Sequence, residues 1–197
     1  PGGDTISQAF DIFGSTASKM FFKAIINQVV GLYSLDTAGN IKLENDLSVG
    51  SLTDFQRVTG EKNSGGFYVK TSNQRNGQTK DYILYCTDQG VIEKEIPYGQ
   101  SVDYFEANDN TAYLIYTKSG ESKFYMQRLT PQLQPLTEAV YPYISGTMSI
   151  YTTALYQDSF WFNFGVTDAS YITDREIWRT DGIQENTKMV KNIDPMT

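Results

Sequence analysis

Large apolar residues fall on consecutive positions four times along the chain: Met20-Phe21-Phe22, Phe67-Tyr68-Val69, Tyr113-Leu114-Ile115 and Phe160-Trp161-Phe162. A strand with one wet face alternates apolar and polar residues, whereas an unbroken apolar run puts hydrocarbon on both faces. These four segments are therefore expected to be strands covered on both sides. Phe21, Phe22, Tyr68, Tyr113, Ile115, Trp161, Phe162 and Trp178 are the expected core. Set in one column, Met20, Phe67, Tyr113 and Phe160 stand 47, 46 and 47 residues apart. Such even spacing marks a structural repeat.

Each copy carries further segments in the same order. An alternating stretch precedes the aromatic run: "AFDIFG", "LTDFQRVTG", "VDYFEAND" and "IYTTALYQD". After the run come "GLYSLD", "YILYCTD", "KFYMQRL" and "EIWRTD". Each copy then closes on "IKLENDL", "VIEKEI", "PLTEAVY" or "KMVKNI". No stretch keeps an apolar period of 3.6 over three turns, and "TISQAFDIFG", which could be a short helix, matches the other opening strands. Every copy thus reads as four antiparallel strands joined by turns. Repeated four-stranded sheets of this length imply an all-β chain built as a β-propeller of four four-stranded antiparallel blades. The whole chain, 1–197, is one domain in this reading, with blades near 1–50, 51–99, 100–146 and 147–197. A β-sandwich with a fortuitous period, or part of a larger propeller, are the alternatives.

Composition narrows the chemistry. Fourteen Tyr, eleven Phe and two Trp supply aromatic area for a sizeable core. A net charge of −7 opposes nucleic acid or an anionic membrane as the main partner. The longest apolar stretch, 20–30, is broken by Lys23, Asn27 and Gln28, so no membrane insertion is expected. Cys86 is the single cysteine and histidine is absent. This removes an intramolecular disulfide, cysteine-cluster zinc sites and histidine-based triads. Cys86 itself, between Tyr85 and Thr87, reads as a small strand residue. No metal and no cofactor is expected. The opening Pro1-Gly2-Gly3 is expected to follow a removed leader or to lie within a longer chain.

The segment Glu176-Ile177-Trp178-Arg179-Thr180-Asp181-Gly182 resembles the bacterial ELWxxDGT repeat. Thr187, Val190-Lys191-Asn192-Ile193 and Pro195 fit that repeat's continuation. Ile177, Ile183, Asn186 and Asn192 depart from it, and the close match covers this one copy. The resemblance implies a propeller-like module of a large bacterial protein, secreted or exposed at the cell surface. It says little of activity, since such motif residues are mostly packing and turn residues. Asp36, Asp88 and Asp181 are accordingly read as turn residues, with Asp181-Gly182 closing a tight hairpin.

Candidate catalytic carboxylates are sparse. Glu93 with Glu95 and Asp168 with Asp174 form pairs without a partner nucleophile. Sialidase-type boxes, EF-hand patterns and glycine-rich phosphate loops are missing from the sequence. "DTAGN", 36–40, offers oxygens for weak calcium binding but fits an ordinary turn. Two long polar stretches, 71–81 and 165–175, read as loops on one face, where recognition often sits. The candidate ligand-binding residues are therefore Asn73, Gln74, Arg75, Asp168 and Tyr171. The expected function is a non-enzymatic scaffold that binds a protein or a glycan, neighbouring domains of a longer chain being possible partners. A carbohydrate-active enzyme using Asp168 and Asp174 is the alternative. All four copies look complete, so a closed monomeric ring is expected ahead of an open arc.

Overall fold

The computed structural model describes residues 6–46, 56–57, 65–75, 78–96, 100–108, 110–121, 124–141, 147–167 and 173–191. They form four antiparallel sheets, each of four strands consecutive in sequence. The first sheet holds β1 (Ile6–Ser15), β2 (Lys19–Ile26), β3 (Val29–Asp36) and β4 (Ile41–Asp46). The second holds β5 (Gln56–Arg57), β6 (Gly66–Arg75), β7 (Gln78–Thr87) and β8 (Gly90–Glu95). The third contains β9 (Gln100–Ala107), β10 (Ala112–Lys118), β11 (Phe124–Leu129) and β12 (Pro135–Tyr141). The fourth contains β13 (Thr147–Tyr156), β14 (Ser159–Thr167), β15 (Thr173–Thr180) and β16 (Lys188–Lys191). The chain divides into two compact units, Pro1–Ser101 and Val102–Thr197. "TISQAFDIFG" is strand over its described part, and no helix among the described residues is long and apolar enough to cross a membrane.

In the first unit, Phe13, Phe21 and Leu32 of the first sheet pack on Phe67, Val69, Tyr82, Leu84 and Cys86 of the second. The rings of Phe21 and Phe67 meet edge to face with centroids 5.5 Å apart, a favoured aromatic arrangement. The opposite face of the first sheet is also covered: Phe22, Ala24, Ile26 and Tyr33 form a second cluster, Phe22 stacking on Tyr33. Alternate residues of β2 thus serve two separate cores, as its unbroken apolar run requires.

The second unit repeats the arrangement. Tyr113, Ile115 and Met126 of the third sheet pack on Phe160 and Phe162 of the fourth, with Tyr113 and Phe160 centroids 5.5 Å apart. Here the sequence column slips. Phe67 and Phe160 face the preceding sheet of their unit, but Tyr113 faces the following one. A shift of one residue along a strand reverses the face presented, so Tyr113 does not share their structural position. Six of the eight expected core residues are buried; Trp161 and Trp178 are only partly so. Trp178 packs at the margin of the Phe160 cluster. Trp161 sits between Phe160 and Phe162 in sequence and so points to the other face, away from the third sheet.

The two expected polar loops are instead mostly strand. β6 and β7 remain paired out to Arg75 and Gln78, and β14 and β15 out to Thr167 and Thr173. Polarity misled here because a hairpin that outruns the core keeps its backbone bonds without needing apolar side chains, and threonine favours strands.

The repeated aspartates end in different arrangements. Asp36 closes its own turn, its Oδ1 accepting the N–H groups of Ala38 and Asn40 and its Oδ2 the Asn40 side-chain amide. Asp181 does likewise through the Ile183 N–H and the Asn186 amide. The Asp181-Gly182 turn is not a tight hairpin: a short 3₁₀ turn, Gln184–Asn186, separates it from β16. Gly182 is needed there, since its φ is +87° and a Cβ would stand 2.6 Å from Thr137 Oγ1 and 2.7 Å from Arg128 Cβ. Asp88 reaches the neighbouring sheet instead. Its Oδ1 accepts hydrogen bonds from the Thr16 hydroxyl, the Ser18 hydroxyl and the Ser18 N–H.

Two outcomes follow for stability. Phe160→Ala empties a buried site and is expected to cost roughly 3 to 5 kcal/mol, while Trp161→Ala should cost clearly less. Denaturant titration checks this, and equal losses would place Trp161 in the core after all. The hydroxyls of Thr16 and Ser18 hold the Asp88 carboxyl below its ordinary value of 3.8. The charged form is thus favoured in the folded state, so its contribution is full above about pH 4 and fades as pH falls through the depressed value. The melting-temperature gap between the parent chain and Asp88→Ala should be widest at neutral pH and close in strong acid. A gap independent of pH would mean that the charge does not tie the two sheets.

Candidate functional site

The expected binding residues are only partly placed. Asn73, Gln74 and Arg75 lie consecutively at the end of β6, paired in register with Lys80, Thr79 and Gln78. Asp168 and Tyr171 lie outside the described residues. Of the carboxylate pairs, Glu93 accepts a hydrogen bond of 2.7 Å from the Asn45 side-chain amide, and Glu95 pairs with Lys80. Asp174 belongs to β15. Among the described residues no cluster of His, Cys, Asp or Glu is set to hold a metal ion. The Asp36 oxygens are taken up by their own turn. Cys86 is buried in the core between the first two sheets, and burial pushes its thiol pKa upward, away from a reactive thiolate.

A concave site forms elsewhere, on the face of the fourth sheet that turns away from the third. It is a cavity of about 490 Å³ lined by Thr153, Ala154, Tyr156, Trp161, Asn163 and Ile177, with Phe162 completing it. Strand register explains its shape. Ala154 stands opposite Trp161, and Asn163 opposite Ile177. The short Ala154 side chain leaves a hollow beside the indole that a larger residue would fill. Tyr156, 62% exposed at the end of β13, forms one rim. Across the indole from Ala154 lies Arg179, whose guanidinium carbon is 5.9 Å from the ring centroid.

Two buried polar atoms belong to residues that line this hollow. The Trp161 indole N–H and the Asn163 Oδ1 are shielded from solvent, yet neither has a hydrogen-bond partner. Both atoms are already closed off from water, so neither opens into the hollow itself. One is a donor and the other an acceptor, and both belong to lining residues of the same cavity. Strand alternation puts Trp161 and Asn163 on one face of β14, a pairing that the sequence already carried and the unbroken apolar run masked.

No protein-family model and no curated protein matches the sequence. Among solved structures, the chain is similar to the β-propeller domain of the Trilobed protease from Pyrococcus furiosus, described as having an open velcro topology. Identity is 11%, the TM-score is 0.54, and the match covers 95% of this chain and 58% of that one. Weaker likenesses link it to prolyl oligopeptidase B from Galerina marginata (16% identity, TM-score 0.47, 89% of this chain, 24% of that one). A neuraminidase-like protein of A/little yellow-shouldered bat also matches (11% identity, TM-score 0.45, 96% of this chain, 64% of that one). The chain therefore spans less than two thirds of the length of each. The first likeness, joined to four sheets of consecutive antiparallel strands, shows a β-propeller-type fold.

Proposed function

We propose that this chain is a four-bladed propeller module that serves as a scaffold and binding surface rather than as a catalyst. Its partner is a protein or a glycan, and its setting is a bacterial protein secreted or held at the cell surface, as the ELWxxDGT resemblance implies. The observation that carries the binding role is the open cavity beside Trp161, whose lining among the described residues is aromatic, aliphatic, hydroxyl and amide, without a carboxylate. Glycoside hydrolysis requires two carboxyl groups facing each other across a cleft, and that lining offers an adhesive surface instead. The structural work given to Asp36, Asp88 and Asp181 supports the same reading, since the carboxylates that recur with the repeat are engaged in turns and in tying sheets.

The purified chain, presented with immobilised polysaccharides and extracellular proteins, is expected to bind saturably and to leave its partner chemically intact. Mass spectrometry of the partner after prolonged incubation checks the second point. Cleavage that disappears in Asp168→Asn or Asp174→Asn would overturn the non-catalytic reading in favour of a carbohydrate-active enzyme.

A further inference from the structure

We infer that the seam between the first and second sheets is an acid-released latch: protonating the carboxylates at its rim parts these two sheets while the sheets of the second unit stay packed. Three carboxylates stand at that rim. Asp88, at the turn between β7 and β8, accepts hydrogen bonds from the Thr16 hydroxyl, the Ser18 hydroxyl and the Ser18 N–H of the first sheet. Glu93 of β8 accepts one from the Asn45 side-chain amide of β4. Glu44 of β4 lies against the same β7–β8 turn. Its side chain is only 3% exposed, and a Cβ on Gly90 would stand 3.4 Å from its Oε2.

The second unit ties its sheets differently. The Tyr113 hydroxyl donates to the Asp158 backbone carbonyl at 2.6 Å and the Arg128 guanidinium to the Asp181 carbonyl at 3.4 Å, and neither acceptor titrates. The Asp158 carboxylate adds only a long contact, 3.3 Å, from the exposed Asn110 amide. In the first unit, Lys19 and Lys42 face Glu44 at 3.6 and 3.0 Å, the Ser34 hydroxyl donates to it, and its charge reaches Cys86 of β7. The Lys19 charge also acts on Asp88. Burial opposes the Glu44 charge, but the Lys42 and Ser34 hydrogen bonds and the two ammonium groups outweigh it and hold the carboxyl below its ordinary 4.5. Asp88 is held below its ordinary value in the same sense by Thr16 and Ser18. Both groups therefore favour the closed seam while charged, and that contribution is lost as pH falls through the depressed values. Protonating Glu44 also deprives Lys19, 16% exposed, of that partner.

Cys86 reports the opening, because it is the single cysteine and lies in the core between these two sheets. Both tryptophans, Trp161 and Trp178, belong to the second unit and report on it separately. The chain is exposed to a dipyridyl disulfide, a reagent that attacks thiols in acid as well as at neutral pH. Thiol–disulfide exchange leaves a mixed disulfide on Cys86 and releases one thiopyridone, read by absorbance. Each rate is divided by that of the chemically unfolded chain at the same pH. The corrected rate is expected to rise roughly tenfold or more between about pH 7 and about pH 3, before the tryptophan emission changes. Glu44→Gln combined with Asp88→Asn keeps both shapes and removes both charges, so it should label fast at neutral pH and lose the pH dependence. A flat profile in the parent chain, an acceleration that coincides with the change in tryptophan emission, or a pH dependence that survives the paired substitution would each overturn the latch. The parent profile needs no substitution and decides the matter even where the paired variant fails to fold.

Discussion

One aromatic contact in each unit fixes how its two sheets meet: Phe21 against Phe67, and Tyr113 against Phe160, both with centroids 5.5 Å apart. Four-stranded sheets are twisted, so two of them packed face to face leave a tapering gap that small aliphatic residues fill poorly. Large rings span that gap, and the remaining apolar residues of each cluster gather around them. The unbroken apolar runs follow from this constraint. A sheet with an apolar cluster on each face needs large side chains on successive positions, and β2, with Phe21 in one cluster and Phe22 in another, shows both demands at once.

Polar contacts at the turns then hold the packed pairs in register. Asp88 takes three donors from the turn between β1 and β2. In the second unit the Tyr113 hydroxyl donates to the Asp158 carbonyl at 2.6 Å, and the turn at Gly182 sits too close to Arg128 and Thr137 to admit a side chain. Rings set the spacing between sheets, and these contacts set the relative slide. The same division of labour shapes the hollowed face of the fourth sheet. Once Phe160 and Phe162 are committed to the third sheet, strand alternation sends Trp161 the other way, where Ala154 leaves it a hollow.

Much of this fold was legible in the sequence because it depends on period and turn chemistry. The four closing strands lie where "IKLENDL", "VIEKEI", "PLTEAVY" and "KMVKNI" place them. Three things were harder to read. The facing of Tyr113 was lost because a column of aromatic residues tolerates a slip of one, while a sheet face does not. The extents of the β6–β7 and β14–β15 hairpins were lost because polar residues beyond the core still pair through their backbones. The role of Trp161 was lost because an apolar run does not say which of its faces is covered; that depends on what lies opposite, here Ala154 and Arg179. Of the expected binding residues, Asn73, Gln74 and Arg75 stand on an extended strand and not in a loop.

The account turns on direct coupling between sheets through the aromatic pairs, and a double-mutant cycle on Phe21→Leu and Phe67→Leu measures it. Both leucines keep the positions apolar, so the cycle isolates the ring contact from burial. A coupling of about 0.5 to 1.5 kcal/mol between the two substitutions is the predicted result. Losses that simply add, to within about 0.3 kcal/mol, would contradict it, because the two rings would then be buried independently and the first two sheets would not be held together by their contact.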